Sequence, residues 1–124
     1  MKKYKIYISG RMSGVPRHIY KEQFLQAEER LKELGYDVVN PDTWFAWLIA
    51  KIFGYYAVLA YDLWRLSKCD AIYLIDGWIL SRGAMIEKEA ALFDNKVILI
   101  EEMFPKEIEL SLQRKIKRTL LTKS

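Results

Sequence analysis

Apolar residues follow two different spacings along the chain, and the switch between them predicts strands separated by helices. Short, almost uninterrupted apolar runs predict four strands, at Lys5–Ser9, Tyr36–Asn40, Ala71–Ile75 and Val97–Ile100. Apolar residues at three- and four-residue steps predict four helices, over residues 18–34, 61–68, 83–93 and 106–121. This alternation is typical of a chain whose strands lie parallel in one sheet.

The predicted strands are mainly apolar and do not alternate with polar residues, which indicates a sheet covered by helices on both faces. We therefore expect residues 1–124 to form a single three-layer α/β domain, flavodoxin-like or Rossmann-like, with about four to five strands. In such sheets ligands bind beyond the carboxyl ends of the strands, where the strand order reverses. Three predicted loops emerge there, at residues 9–16, 40–44 and 76–83, so we expect any chemistry in these loops.

One stretch, Trp44–Tyr61, is apolar and aromatic almost throughout and is interrupted only by Lys51 and Gly54. A membrane-spanning helix needs roughly 20 apolar residues with few charges. Because this stretch is shorter and carries a lysine near its middle, we expect no membrane span. Two interpretations remain, an interface between copies of the chain and a wall of the ligand pocket.

Composition places the chain among ordered globular proteins, with 52% hydrophobic and 29% charged residues in a length of 124. The single cysteine, Cys69, is interpreted as a reduced packing residue, and we expect a soluble, cytoplasmic protein without a signal peptide. The whole net charge of +4 comes from residues 106–124. A solvated helix face explains such a run better than contact with nucleic acid or an anionic membrane.

The first loop contains the sequence SGRMSG between a strand and a helix. Gly10 and Gly14 allow the backbone to approach a ligand closely, and Arg11 beside the start of a helix suits a phosphate or carboxylate. The glycine spacing is neither that of a dinucleotide-binding loop nor that of a P-loop. A tight turn without a ligand remains an equal alternative.

Two later regions supply carboxyl groups. Asp76, Gly77 and Trp78 are followed by Ser81-Arg82-Gly83, and Glu87 lies about one helical turn further on, where its side chain can face the strand ends. Asp62 is flanked by aromatic and aliphatic residues, so its carboxyl group can keep its proton near neutral pH and act as an acid. The alternatives are that Glu87 is an ordinary solvated glutamate and that Asp62 is a charge at the N-terminal end of a helix.

Four segments together, KIYISGRMSG, YDVVNP, DLWRLSKCDAIYLIDGW and SRGAMIEKEAALF, resemble the small phage and bacterial branch of the nucleoside 2-deoxyribosyltransferase-like family. The resemblance covers about residues 4–100. It depends on the order and spacing of SG-x-M-[ST]-G, D-L-x-x-L-x-x-C-D and G-W-x-x-S-x-G-x-x-x-E. Arg11 departs from the family, whose close members often have proline at this position.

The resemblance implies cleavage or exchange of the N-glycosidic bond of 2′-deoxynucleosides or their 5′-monophosphates. Glu87 matches the nucleophile, Asp62 the proton donor to the departing base, and Tyr7 a tyrosine near the nucleophile. The remaining residues are expected to bind substrate: Ser81 and Gly83 at the 5′-phosphate or 5′-hydroxyl, Ser9, Gly10, Arg11 and Gly14 around the sugar and base, and Asp76, Gly77 and Trp78 in the third loop.

The same resemblance implies a homo-oligomer that binds a small deoxynucleoside or deoxynucleotide. The sequence contains no zinc pattern, and Asp70 and Asp76 lie at strand ends where they cap turns, so we expect no metal and no cofactor, and we do not expect a nucleic-acid partner. A non-catalytic nucleotide-binding or sensing module with the same pocket is the first alternative. A surface for protein or nucleic-acid contact, formed by the aromatic stretch and the basic end, is the second.

Overall fold

Within residues 3–122, which the computed structural model describes, with side chains to residue 114, four strands form one sheet and five α-helices cover it. The strands are β1 Lys5–Ser9, β2 Asp37–Val39, β3 Ala71–Leu74 and β4 Val97–Ile100. The helices are α1 Arg17–Glu33, α2 Trp44–Phe53, α3 Tyr55–Ser67, α4 Arg82–Phe93 and α5 Pro105–Thr122, with a short 3-10 turn at Trp78–Leu80.

All strand pairs are parallel, in the order β2-β1-β3-β4. Ile6 of β1 pairs with Val38 on one side and with Ala71 on the other. The chain moves outward to β2 after β1 and to β4 after β3, so the order reverses between the two central strands. The predicted three-layer α/β fold is confirmed, and the loops after β1 and β3 diverge at the point where such sheets bind ligands.

The two faces of the sheet bury different residues, because successive side chains of a strand point to opposite sides. Ile6 and Ile8 of β1 face a cluster closed by α1 and α5. Tyr7 of β1 faces a second cluster, to which α3 and α4 contribute. The first cluster is built from Ile6, Ile8, Phe24, Ala27, Leu31, Ala71, Tyr73, Ile75, Leu99, Ile108 and Leu112.

The aromatic stretch is helical, forming α2 and the beginning of α3. The Thr43 hydroxyl accepts a hydrogen bond from the backbone N–H of Ala46 and so caps α2. The helix ends at Gly54, whose φ of +92° favours glycine. α3 then begins at Tyr55, six residues before the predicted helix. Of the helices in the described chain, none is long and apolar enough to span a bilayer.

Cys69 is buried in the second cluster as a free thiol. Burial raises the pKa of this thiol to about 11, so it stays protonated and packs as an apolar group. The charged end of the chain is only partly described, because the side chains beyond residue 114 lie outside the described residues.

Candidate active site

Glu87 forms the centre of the site, because α4 carries its carboxyl group under the end of β1. The helix begins after Ser81, whose hydroxyl accepts a hydrogen bond from the Ala84 backbone N–H at 3.1 Å. Glu87 follows on the inner face of α4, and only 6% of its surface is exposed. The start of α4 at Ser81 therefore fixes the helix so that the Glu87 carboxyl group lies in the interior.

Two hydroxyl groups from β1 hold this carboxyl group. The Tyr7 hydroxyl donates a hydrogen bond to Oε2 of Glu87, and the Ser9 hydroxyl donates to Oε1 at 2.7 Å. Tyr7 and Ser9 lie two positions apart, so they point to the same face of the sheet. Both carboxylate oxygens are thus oriented by neutral donors, and no cation is hydrogen-bonded to them within the described chain.

Burial raises the pKa of Glu87 to about 7, since removal from water disfavours the charged form. The hydrogen bonds from Tyr7 and Ser9 act in the opposite direction but do not offset burial. The pKa of Tyr7 is well above its ordinary value of 10.0, because of burial first and the nearby Glu87 charge second. Tyr7 therefore keeps its proton and remains a donor to Glu87 at neutral pH.

Asp62, on α3, is the second carboxyl group of the site, and its environment differs. Nη2 of Arg65 donates to Oδ1 of Asp62 at 2.6 Å and also to the backbone carbonyl of Pro41 at 3.1 Å. Burial raises the pKa of Asp62, while the hydrogen bond and charge of Arg65 lower it, and the net direction is upward. Nε of Arg65 is buried without a hydrogen-bond partner in the described part of the chain.

A cavity of about 730 Å³ joins the two carboxyl groups, a volume in the range typical of small-molecule sites. Tyr7, Asp62 and Glu87 line it together, so the structure brings the three predicted catalytic residues to one space. Five predicted substrate-binding residues also line this cavity: Gly10, Arg11, Gly14, Ser81 and Gly83.

Four other predicted substrate-binding residues do not line the cavity. Ser9 lies behind Glu87, fully buried, and acts on the site only through that carboxyl group. The turn at Asp76, Gly77 and Trp78 faces elsewhere: the Asp76 backbone N–H donates to the Glu101 carboxylate at 2.8 Å. Trp78 packs against the second hydrophobic cluster.

The start of α4 forms one side of the cavity. The first backbone N–H groups of a helix have no partner within the helix and carry partial positive charge. Ser81, Arg82 and Gly83 all line the cavity here. A Cβ atom added to Gly83 would lie 3.1 Å from the Tyr55 hydroxyl, so a larger residue there would have to displace the Tyr55 side chain by a few tenths of an ångström.

The sequence did not single out several residues that line the cavity. The aromatic stretch contributes Trp47 and Tyr55 to the cavity wall, and the two interpretations of this stretch, a ligand-pocket wall and an interface between copies, both stay predictions. Asp42 and Arg17 approach each other at 4.0 Å on the loop side. Asp42 lies in a loop that was expected to carry chemistry, and its position directly after Asn40-Pro41 was the available signal.

The cavity thus brings together a buried carboxyl group, a second carboxyl group with a raised pKa and the start of a helix. Comparison with known proteins adds one match. A family model described as a domain of unknown function, DUF4406, matches residues 4–100. The matched region contains all four strands and every cavity residue, and α5 follows it. No curated protein matches the chain.

Proposed function

Since the chain belongs to the family described as a domain of unknown function, DUF4406, we propose its function from the cavity itself. The protein cleaves or exchanges the N-glycosidic bond of 2′-deoxynucleosides or their 5′-monophosphates through a glycosyl ester on Glu87. The observation that carries this proposal is the buried Glu87 carboxyl group, oriented by Tyr7 and Ser9 at the wall of a nucleotide-sized cavity.

In the first step a carboxylate oxygen of Glu87 attacks C1′ of the sugar. The C1′–O bond forms as the C1′–N bond breaks, and the base leaves with the bonding electrons and takes the proton of Asp62. In the second step water or another base attacks C1′, the C1′–O bond breaks, and Asp62 recovers a proton from the attacking group. Water gives hydrolysis, and a second base gives exchange.

The surroundings of the two carboxyl groups support these different roles. Tyr7 and Ser9 orient Glu87 without a paired cation, so its negative charge remains available for attack on an oxocarbenium-like carbon. Asp62 has a raised pKa, which favours the protonated form that a general acid needs. Once Asp62 has given up its proton, the Arg65 guanidinium stabilises the carboxylate that remains.

The helix start supports a substrate with a 5′-phosphate. Ser81, Arg82 and Gly83, at the start of α4, line one side of the cavity, where helix-start N–H groups and an arginine suit a phosphate. A phosphate there would be held by charge-assisted hydrogen bonds, while Glu87 lies one helical turn further along the same helix. We therefore place the 5′-monophosphates first among the substrates.

One observation favours a second candidate function, a nucleotide-binding module without turnover. With a pKa of about 7, a substantial share of Glu87 is protonated at neutral pH. A protonated carboxyl group donates a hydrogen bond to a sugar hydroxyl but does not attack carbon. In this alternative the cavity binds the nucleotide and releases it unchanged.

An assay of base release separates the two functions. Purified protein is incubated with a panel of 2′-deoxynucleosides and their 5′-monophosphates, with and without a second free base, and products are separated by chromatography. Glu87→Gln is the test variant, and Glu89→Gln, at an exposed position of the same helix, is the matched control. Base release that is lost only in Glu87→Gln supports the enzyme, whereas binding without release from any substrate supports the module.

A further inference from the structure

Asp42 and Arg17 form a polar pair on the cavity wall that the proposed reaction does not use. Asp42 lies in the loop between β2 and α2, and its side chain is 10% exposed. Arg17 is the first residue of α1, and its side chain is about half exposed. Both line the cavity that holds Glu87 and Asp62.

The pair keeps its hydrogen-bonding capacity free for a ligand. Nη2 of Arg17 and Oδ1 of Asp42 are 4.0 Å apart, which is too far for a hydrogen bond. Among the described residues, no hydrogen bond to the Asp42 carboxylate is observed. The Asp42 carboxylate lines the cavity without accepting a hydrogen bond from the described residues, so a bound group with N–H or O–H donors would be favoured there.

The loop that carries Asp42 is fixed against the proton donor of the proposed reaction. Nη2 of Arg65 binds both the Pro41 carbonyl and the Asp62 carboxylate. On the other side, the Asp42 backbone N–H donates to the side-chain carbonyl of Asn40 at 2.9 Å. A base that takes a proton from Asp62 would therefore lie close to the loop that carries Asp42, and the start of α4 at Ser81 would face a different part of the substrate.

We propose that Asp42 and Arg17 determine base specificity by hydrogen bonding to the Watson–Crick edge of guanine; this inference rests on the proposed function. An ionised carboxylate only accepts hydrogen bonds, and a guanidinium only donates them. The matching edge has N–H donors next to a carbonyl oxygen. Guanine has N1–H and the 2-amino group for Asp42 and O6 for Arg17.

The other bases fit this pair less well. Hypoxanthine lacks the 2-amino donor, and thymine flanks its single N–H with two carbonyl oxygens. Adenine and cytosine place the lone pair of a ring nitrogen where the carboxylate needs a donor. A phosphate is repelled by Asp42, and a sugar hydroxyl would give contacts that are equal for all bases.

Binding to the Glu87→Gln protein tests the proposal, because this variant does not consume the ligand. Calorimetry would compare the 5′-monophosphates of deoxyguanosine, deoxyinosine, deoxyadenosine and thymidine. We expect deoxyguanosine monophosphate to bind roughly tenfold or more tightly than each of the others, as expected for charge-assisted hydrogen bonds. Adding Asp42→Asn should abolish this preference, and adding Asp37→Asn, at an exposed position, should leave it unchanged.

Arg17→Gln provides a second variant at a half-exposed position, in case Asp42→Asn fails to fold. It should weaken binding of the two nucleotides with O6 and leave deoxyadenosine monophosphate unaffected. Equal loss for all bases in Asp42→Asn, the absence of a preference for guanine, or no binding by any nucleotide would each overturn the proposal.

The binding test of base preference does not depend on whether the protein releases bases. A guanine preference that depends on Asp42, in a wild-type protein that releases no base, would keep this inference and remove the enzymatic function. Base release without that preference would do the opposite.

Discussion

The two faces of β1 differ in what they contact, and this difference separates stability from chemistry. Ile6 and Ile8 face a hydrophobic cluster closed by α1 and α5. Tyr7 and Ser9, on the opposite face, donate hydrogen bonds to the buried carboxyl group of Glu87. Burial stabilises the first face, whereas on the second it raises the pKa of an acid and so lowers stability where that acid is charged.

Of the substitutions considered below, that of Asp62 should reduce turnover most. Asp62 lies on the side of the sheet that carries Tyr7 and Glu87. Asp62→Asn removes the proton donor, so we expect base release to fall about 100- to 10,000-fold, the usual contribution of a general acid. A deoxyriboside with a nitrophenolate leaving group, which departs without a proton, should be cleaved almost normally by this variant. Equal losses for both substrates would show that Asp62 acts on folding or binding instead.

Substitution of Leu31, on α1, should affect the other face alone. Leu31 is fully buried in the cluster of Ile6 and Ile8. Leu31→Ala should lower the free energy of unfolding by about 2–5 kcal/mol, because it leaves a cavity. Measured by urea denaturation, this loss should come with unchanged turnover per folded molecule. Leu66→Ala, in the second cluster on α3, is the comparison, since it lies four residues from Asp62 and should lower both quantities.

The pH dependence of stability should come partly from Glu87. Its pKa rises from an ordinary value of 4.5 to about 7 in the folded protein, so the native state binds this proton more tightly than the unfolded chain. The cost is absent below pH 4.5, develops as pH rises, and is complete above about pH 7. Relative to Glu87→Gln, the wild type should lose about 3 kcal/mol between pH 4 and pH 8.

Urea denaturation of both proteins across this pH range measures the difference directly. A difference that stays constant with pH would show that Glu87 ionises as an ordinary glutamate, and one that grows in favour of the wild type would show that its pKa is lowered. Burial would then not raise the pKa of Glu87, and the two faces of β1 would not differ in this electrostatic effect.

Removal of the Tyr7 hydroxyl should have a smaller effect, on the pH profile of turnover. The hydrogen bond from Tyr7 lowers the pKa of Glu87, so Tyr7→Phe should raise that pKa and move the acid limb of kcat/KM to higher pH. Activity at pH 7 should fall roughly tenfold. Tyr73→Phe, on the opposite face, removes a hydroxyl that binds Arg30 and should leave the acid limb in place. An acid limb that moves equally in both variants would show that it does not report the hydrogen bond between Tyr7 and Glu87.

Most of the fold could be predicted from the sequence, because its strands are short apolar runs between clear turn residues. The β1 and β4 bounds agree with prediction, and the four predicted helices are present with small shifts at most ends. The exception is the aromatic stretch. Helical spacing was hidden there because nearly every position is apolar, so no polar face marked the period of α2.

The site could be predicted only in part. Residues of one motif lie close together in sequence, whereas the residues that they contact in the fold lie far away in sequence. The positions of Tyr7, Asp62 and Glu87 in one cavity followed from the resemblance, although their catalytic roles stay predictions. Asp42 was marked only by its place after Asn40-Pro41, and Arg65 carried no local signal, because it gains its role from the Pro41 carbonyl, 24 residues away in sequence. Asp76, Gly77 and Trp78 were expected at the ligand because they end β3, but the turn directs them toward Glu101 and the second cluster.

Trapping of the covalent intermediate tests the central claim most directly. The wild-type protein would be incubated with a 2′-fluoro-2′-deoxyarabinonucleoside 5′-monophosphate, whose fluorine slows breakdown of the glycosyl ester, and analysed by mass spectrometry after proteolysis. The account predicts a mass increase of one fluorinated sugar phosphate on the peptide that contains Glu87, and no such increase in Glu87→Gln. Label on another residue, or release of natural bases by Glu87→Gln at the wild-type rate, would contradict it.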